Sequence, residues 1–224
     1  HGHMRLSEVC GNQPIPFLFK ILSVAKPLSL QVHPSKQQAV ELYQKDPVNY
    51  PDPNHKPEMS LFLNDSLLLL GFRDFEQIAH FIQTIPPFRE ALTDQLVELF
   101  CSDMSHQNLK KIVERLLRID QEEIPRLAKA VFEYTQNQPI DPLIKEAASI
   151  IYTYFSEDIG IFFVFLLNVV EKRRGESIFI PDGVLHSYLK GDLIEAMALS
   201  DNVVRASMTP KKKDVDTLLN IVKF

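Results

Sequence analysis

The spacing of apolar residues divides the chain into three parts. Residues 6–73 and 173–224 contain short runs in which apolar and polar residues alternate with period two, the period of a β-strand. Residues 74–172 place apolar residues three and four positions apart, the period of a helix with one buried face. This order predicts a β domain in two parts, 6–73 and 173–224, that is interrupted by a helical insertion domain, 74–172. Residues 1–5 resemble an expression scar and are set apart.

The predicted helices rest on repeated apolar stripes. The clearest stripe consists of Leu109, Ile112, Val113, Leu116 and Leu117. Similar stripes cover residues 127–134 and 143–154, and Asp141 followed by Pro142 predicts a capped start for the second of them. The apolar run at 159–170 is too short to span a bilayer and predicts a buried core helix.

The two outer parts predict short antiparallel strands. In the carboxy-terminal part, strands are expected at 177–180, 184–189, 193–199 and 203–207, with turns at 181–183, 190–192 and 200–202. Regular short strands with turn residues between them are typical of an antiparallel sandwich or barrel. The predicted fold class is therefore α+β, an antiparallel β domain with an all-helical insertion.

Several of these strands carry polar residues on one face. Gln31 and His33 lie two apart in an expected strand, Glu58 follows a proline-rich turn, and His186 and Tyr188 lie two apart in a late strand. A half-buried strand that shows its polar face to water explains the pattern equally well. A cavity between strands is the alternative, because imidazole and carboxylate groups suit zinc. Spacing alone leaves both interpretations open.

Composition narrows the class of partner. The chain has 224 residues, of which 45% are apolar and 24% charged, and a net charge of −5, so we expect neither nucleic acid nor a membrane as partner. Two distant cysteines predict a reduced, cytoplasmic protein. The basic cluster of Arg205 with Lys211–Lys213 is, by pattern alone, most simply a solvated turn.

Three long motifs carry a family resemblance. They read PLSLQVHP at 27–34, NHKPEM at 54–59 and GDLIEAMALSDNVVRA at 191–206. They closely resemble the type I phosphomannose isomerases (mannose-6-phosphate isomerases), in the same order and with the helical part where that family has one. The resemblance implies a cupin-type barrel or jelly roll, one zinc ion, and interconversion of mannose 6-phosphate and fructose 6-phosphate. It also implies a fragment that lacks the family's amino-terminal segment and carboxy-terminal cupin domain.

The resemblance also implies site residues. The metal ligands would be Gln31, His33, Glu58 and His186, and the arginine of the active site would be Arg205. The positions that would line the pocket are Ser29, Lys36, Lys56, Tyr188, Glu195 and Lys211. The chain departs from the family at Ser207-Met208, where Gly-Leu is common.

The implied reaction moves a proton between two carbons through an enediol. Arg205 is the expected residue for charge recognition, with Lys36 or Lys211 beside it, although it could instead contact the reacting oxygens. Lys56 is the first candidate for the proton-transfer base, and His55 and Glu195 are its rivals. The alternatives are a cupin that only binds a sugar phosphate, as a sensor or structural module, and an interaction fragment without metal. We expect a monomer whose partner is the sugar phosphate.

Overall fold

The computed structural model describes residues 4–11, 13 and 15–224, so residues 1–3 of the predicted expression scar lie outside it. In this part of the chain it contains eight strands and ten α-helices. The strands are β1 (Phe17–Val24), β2 (Leu30–Val32), β3 (Glu58–Phe62), β4 (Ser66–Phe72), β5 (Leu167–Lys172), β6 (Ser177–Ile180), β7 (His186–Ala198) and β8 (Val204–Ser207). The helices are α1 (Leu6–Val9), α2 (Lys36–Lys45), α3 (Phe75–Thr84), α4 (Pro86–Leu92), α5 (Asp94–Ser102), α6 (His106–Leu117), α7 (Ile124–Asn137), α8 (Pro142–Tyr154), α9 (Phe163–Leu166) and α10 (Val215–Ile221).

All strand pairs are antiparallel and form two layers that share the long strand β7. The first half of β7 pairs with β4 and β2, which extends a layer in the order β5-β4-β7-β2-β8. The second half of β7 pairs with β1 on one side and with β3 on the other, and β6 follows β3. The predicted α+β class with antiparallel strands and a helical insertion is confirmed.

Strand β7 changes layers at Gly191, where the sequence predicted a turn. That prediction is wrong, because β7 runs without interruption from His186 to Ala198. Gly191 has a φ of +114°, and a Cβ at this position would lie 2.0 Å from Oγ of Ser66. Glycine alone adopts this conformation without strain and without a clash, so the residue bends the strand rather than ending it.

The predicted helices are present between β4 and β5. Helices α6, α7 and α8 contain the three apolar stripes, and the carboxylate of Asp141 caps α8 by accepting a hydrogen bond from the amide of Leu143 at 2.7 Å. The run 159–170 is buried at its start but is not one helix. Residues 159–162 form a 3₁₀ turn, α9 follows, and β5 begins at Leu167. The last six residues of the predicted insertion thus form a strand, and the division into domains stays a prediction.

Two apolar cores hold these layers in place. The larger core joins the helices of the insertion to one face of the layer that contains β4 and β5. The smaller one lies between the two layers and consists of Val24, Phe62, Leu68, Ile180, Tyr188 and Leu193. The space between the layers is therefore apolar over part of its length, and polar side chains occupy the remainder. Among residues 4–11, 13 and 15–224, no helix has both the length and the apolar character needed to cross a bilayer.

Candidate active site

Three of the expected metal ligands meet in the space between the two layers. His33 follows β2, His186 begins β7, and Glu58 begins β3. Nε2 of His33 lies 3.1 Å from Oε1 of Glu58, and Nε2 of His186 lies 3.5 Å from Oε2 of the same carboxylate. All three residues are at most 1% exposed, and one potential ligand atom from each lies within 4.8 Å of the others.

Strand pairing explains why residues so distant in sequence meet. Gln31 is the direct cross-strand partner of His186, which places β2 and the start of β7 side by side. Glu58 instead pairs with Met197, near the other end of β7 and in the opposite layer. Because β7 bends at Gly191, its two ends belong to facing layers, and the carboxylate approaches the imidazoles from across the space between them.

The backbone fixes the tautomer of both histidines. Nδ1 of His33 lies 3.0 Å from the carbonyl oxygen of Asn202, and Nδ1 of His186 lies 2.8 Å from that of Val184. A carbonyl oxygen only accepts hydrogen bonds, so each ring carries its proton on Nδ1. Each Nε2 therefore presents a lone pair toward Glu58. Burial lowers the pKa of His33 to about 4, so this imidazole is neutral at pH 7.

Glu58 faces these lone pairs as a carboxylate. Oε1 of Glu58 accepts a hydrogen bond from Nζ of Lys56 at 2.9 Å, whereas Oε2 has no hydrogen-bond partner.

The three side chains fit a divalent cation. Neither Nε2 has a hydrogen-bond partner, and both are buried. Buried lone pairs that face a carboxylate are costly unless a positive charge lies among them. Two imidazole nitrogens and one carboxylate oxygen match the donor set of a zinc centre that keeps a coordination position open. Carbonyl acceptors on the opposite ring nitrogens are the usual outer partners of metal-binding histidines.

A cavity of about 400 Å³ opens directly onto this centre. Five of its lining residues are cationic: Lys20, Lys26, Lys56, Arg205 and Lys211. Glu58 and Glu195 are the two acids in its lining. Gln31 and Ser29 also line it, and Oγ of Ser29 donates to Oε1 of Gln31 at 3.3 Å. The excess of positive charge suits a small anionic ligand.

Glu195 is held at the cavity wall by a lysine that the sequence reasoning missed. Lys20 is the cross-strand partner of Glu195, and its Nζ lies 2.5 Å from Oε2 of that residue. Burial, followed by repulsion from Glu58, raises the pKa of Glu195. One available signal was Lys20 itself, a charged residue at the centre of the otherwise apolar strand β1.

Arg205 reaches the same cavity from β8. It is the cross-strand partner of Gln31, and both residues line the cavity. The side chain is half-buried, and burial lowers its pKa. Nη1 donates to the carbonyl oxygen of Val203 at 3.4 Å.

Three expected pocket residues lie elsewhere. Lys36 and His55 line a separate cavity of about 340 Å³, together with Asn54. Tyr188 is buried in the core between the layers, and its hydroxyl shares a 2.7 Å hydrogen bond with that of Ser60. None of the three is in the lining of the cavity that contains Arg205 and Glu58. Their roles remain predictions.

Fold and site together describe a protein with two antiparallel layers and a buried group of two histidines and a glutamate that could hold a metal ion, beside a cationic cavity. A family model, "Phosphomannose isomerase type I, catalytic domain", matches residues 3–75. Mannose-6-phosphate isomerase from Aspergillus fumigatus is 36% identical over 248 residues, which cover 98% of this chain and 54% of the relative. The human mannose-6-phosphate isomerase is 36% identical over 224 residues, 95% of this chain and 53% of that protein.

Solved structures agree with the sequence comparison. The crystal structure of a zinc-bound mannose 6-phosphate isomerase has a TM-score of 0.84 and 34% identity, and the match covers 97% of this chain and 57% of that one. A mutant of the Salmonella typhimurium phosphomannose isomerase also gives a TM-score of 0.84. The chain therefore belongs to the type I phosphomannose isomerase family, and the expected cupin-type fold is confirmed. It spans about half the length of the curated relatives that it matches.

Proposed function

We propose that this chain forms the catalytic portion of a zinc-dependent aldose–ketose isomerase that interconverts mannose 6-phosphate and fructose 6-phosphate through an enediol. One observation carries the proposal: the buried Nε2 lone pairs of His33 and His186 face the carboxylate of Glu58 at the base of a cationic cavity. Gln31 is the proposed fourth ligand, because it lines that cavity and pairs directly with His186. A bound zinc ion supplies Lewis-acid polarisation of sugar oxygens.

The cationic lining provides for the phosphate. A phosphate dianion needs charged donors, and a planar guanidinium offers two parallel ones. Arg205 and Lys211 both come from the carboxy-terminal part of the chain and line the cavity, and Ser29 adds a hydroxyl. We assign phosphate recognition to Arg205 with Lys211, rather than to Lys36, which lies in a separate cavity.

Proton transfer requires a group that takes the proton from one carbon and returns it to the next. Lys56 and Glu195 line the cavity, whereas His55 does not. A raised pKa suits Glu195 to the exchange, and its partner Lys20 holds the carboxylate in position. Lys56 donates to Glu58 and serves as the alternative. Substituting Glu195 and Lys56 one at a time distinguishes the two candidates for the proton-transfer group.

The proposal is tested on the purified 224-residue chain by metal analysis and by a coupled assay with mannose 6-phosphate. We expect one zinc per chain and measurable turnover. His186→Ala should lose both. Arg205→Met should retain zinc and lose most turnover, about 100-fold, the scale of a single charge-stabilising contact. A chain that binds zinc and sugar phosphate without turnover would instead be a binding module. A chain that binds no zinc, with His186→Ala unchanged, would contradict the metal centre itself.

A further inference from the structure

Two loops beside the metal centre are joined by a dense set of hydrogen bonds. Nδ2 of Asn54 donates to the carbonyl oxygen of Leu199 at 3.2 Å, and Oγ of Ser200 donates to the carbonyl oxygen of Asn54 at 2.9 Å. The amide of Asp201 donates to Oδ2 of Asp52 at 2.8 Å. Residues 52–54 lead into Lys56 and Glu58, so these hydrogen bonds between the two loops lie directly before two residues of the site.

Asn202 lies at the centre of the hydrogen bonds between the two loops. Its side chain is fully buried, and its Nδ2 donates to the carbonyl oxygens of Asp52 at 2.6 Å and Asn54 at 2.8 Å, with a weaker contact of 3.2 Å to Oδ1 of Asp52. Its own carbonyl oxygen accepts the Nδ1–H of His33 at 3.0 Å. One residue thus holds the loop that leads to Glu58 with its side chain and the ring of His33 with its main chain.

We propose that Asn202 is a positioning residue of the metal centre, which sets the separation between Nε2 of His33 and the carboxylate of Glu58. The inference rests on the proposed zinc site. Glu58 and His33 come from different layers, so local backbone geometry does not fix their distance. Groups that orient metal ligands in this way typically contribute 10–100-fold to metal affinity.

The chemistry of the contacts requires an amide at this position. Its partners are carbonyl and carboxylate oxygens, which only accept hydrogen bonds. An aspartate would present further acceptors to those oxygens and a charge beside Asp52. An aliphatic residue would remove the donor to the carbonyl oxygen of Asp52 and one of the two donors to that of Asn54. The sequence shows Asn202 only as a residue of an expected turn, because the partners lie about 150 positions away.

The test compares Asn202→Ala with Asn108→Ala. Asn108 lies in α6 and is 3% exposed, and its Nδ2 donates to the carbonyl oxygen of Asp103 at 2.9 Å and to Oδ2 of the same residue at 2.8 Å. It therefore matches Asn202 in burial and in contacts, but it lies in the helical insertion. Zinc affinity is measured by competition with a chelator, well below both unfolding midpoints. The visible spectrum of the cobalt-substituted chain reports the ligand geometry.

We expect both variants to lower the midpoint of thermal unfolding. Only Asn202→Ala should weaken zinc binding, by about 10–100-fold, and alter the cobalt spectrum. Equal affinity in the wild type and Asn202→Ala would overturn the inference and leave the proposed zinc site intact. If the wild type itself binds no zinc, the proposed function fails first and the inference fails with it.

Ser200→Ala covers the case in which Asn202→Ala does not fold. It removes the hydroxyl that donates to Asn54 and accepts from the amide of Asn202 at 3.1 Å, and it leaves the carboxamide in place. A smaller loss of zinc affinity in the same direction would support the inference. Wild-type affinity in Ser200→Ala would overturn it.

Discussion

Buried polar groups have hydrogen-bond partners at one end of the space between the layers and lack them at the other. At one end, the hydroxyls of Ser60 and Tyr188 satisfy each other at 2.7 Å within an apolar core. At the other end, Nε2 of His33 and of His186 face Glu58 with no donor between them. The side chains at the two ends are equally buried, so burial alone does not distinguish them. The first pair therefore needs no further partner, whereas the unpartnered atoms of the second cluster fit a cation.

Two residues on the same face of β3 test whether only one of the two ends binds zinc. Glu58 and Ser60 lie two apart in β3, and both are buried. We expect Glu58→Gln to weaken zinc binding by at least about 100-fold, since loss of a direct ligand should exceed the loss of an outer partner. Ser60→Ala should leave zinc affinity unchanged. Isothermal titration or chelator competition measures both, and equal losses would remove the distinction.

Bound zinc should raise the free energy of unfolding, and it should do so only through the cluster of His33, Glu58 and His186. A ligand that binds the folded chain alone adds about 2.7 kcal/mol to the free energy of unfolding at one hundred times its dissociation constant. Denaturant unfolding with and without zinc should therefore show this gain in the wild type. His33→Ala should show none, because its lone pair is a proposed ligand. A gain that survives in His33→Ala would indicate that zinc binds elsewhere.

The apolar end should respond to single and double substitutions differently. Tyr188→Phe leaves the hydroxyl of Ser60 buried without its partner and should lower the free energy of unfolding by about 1–3 kcal/mol. Ser60→Ala should do the same. The double variant should cost less than the sum of the two, because replacing both partners leaves no unsatisfied group. Chemical denaturation measures the cycle, and strict additivity would show that the hydroxyls do not interact.

The smallest effect concerns Asp214, which caps the start of α10. Burial tends to raise its pKa, but hydrogen bonds from Thr217 and from the hydroxyl of Tyr50 at 2.8 Å outweigh burial and lower it. A depressed pKa contributes stability above the pKa of the unfolded state, and this contribution is lost as the pH falls. Tyr50→Phe should therefore cost about 1 kcal/mol at pH 7 and progressively less in acid. A cost that does not change with pH would contradict this.

Much of the secondary structure followed from local pattern. The stripe from Leu109 to Leu117 produced α6, and Asp141 before Pro142 produced the start of α8, because helix periodicity and caps act within a few residues. The turn expected at 190–192 was wrong because Gly191 bends a continuous strand there, and the same residue type ends strands elsewhere. The buried helix expected over 159–170 was wrong at its end, where β5 begins, because a short apolar run fits a buried helix or a buried strand equally well.

The site was reached mainly through its motifs. They contain His33, Glu58 and Arg205, and His186 lies shortly before the third motif. The structure gathers these residues around one cavity or directly beneath it. Lys36 and His55 were expected there and line another cavity. Lys20 was missed because its partner Glu195 lies 175 positions away, in a register that only the paired strands reveal.

Local patterns and motifs were enough to predict the chemical types of the donors, the alternation of strands and helices, and the family. How those donors face one another depends on tertiary contacts. Backbone carbonyls at positions 184 and 202 set the ring protons of the two histidines, and the bend of β7 brings Glu58 across to their lone pairs. Contacts of this kind depend on strand register and on loops that meet across the fold, and no local pattern of residues encodes them.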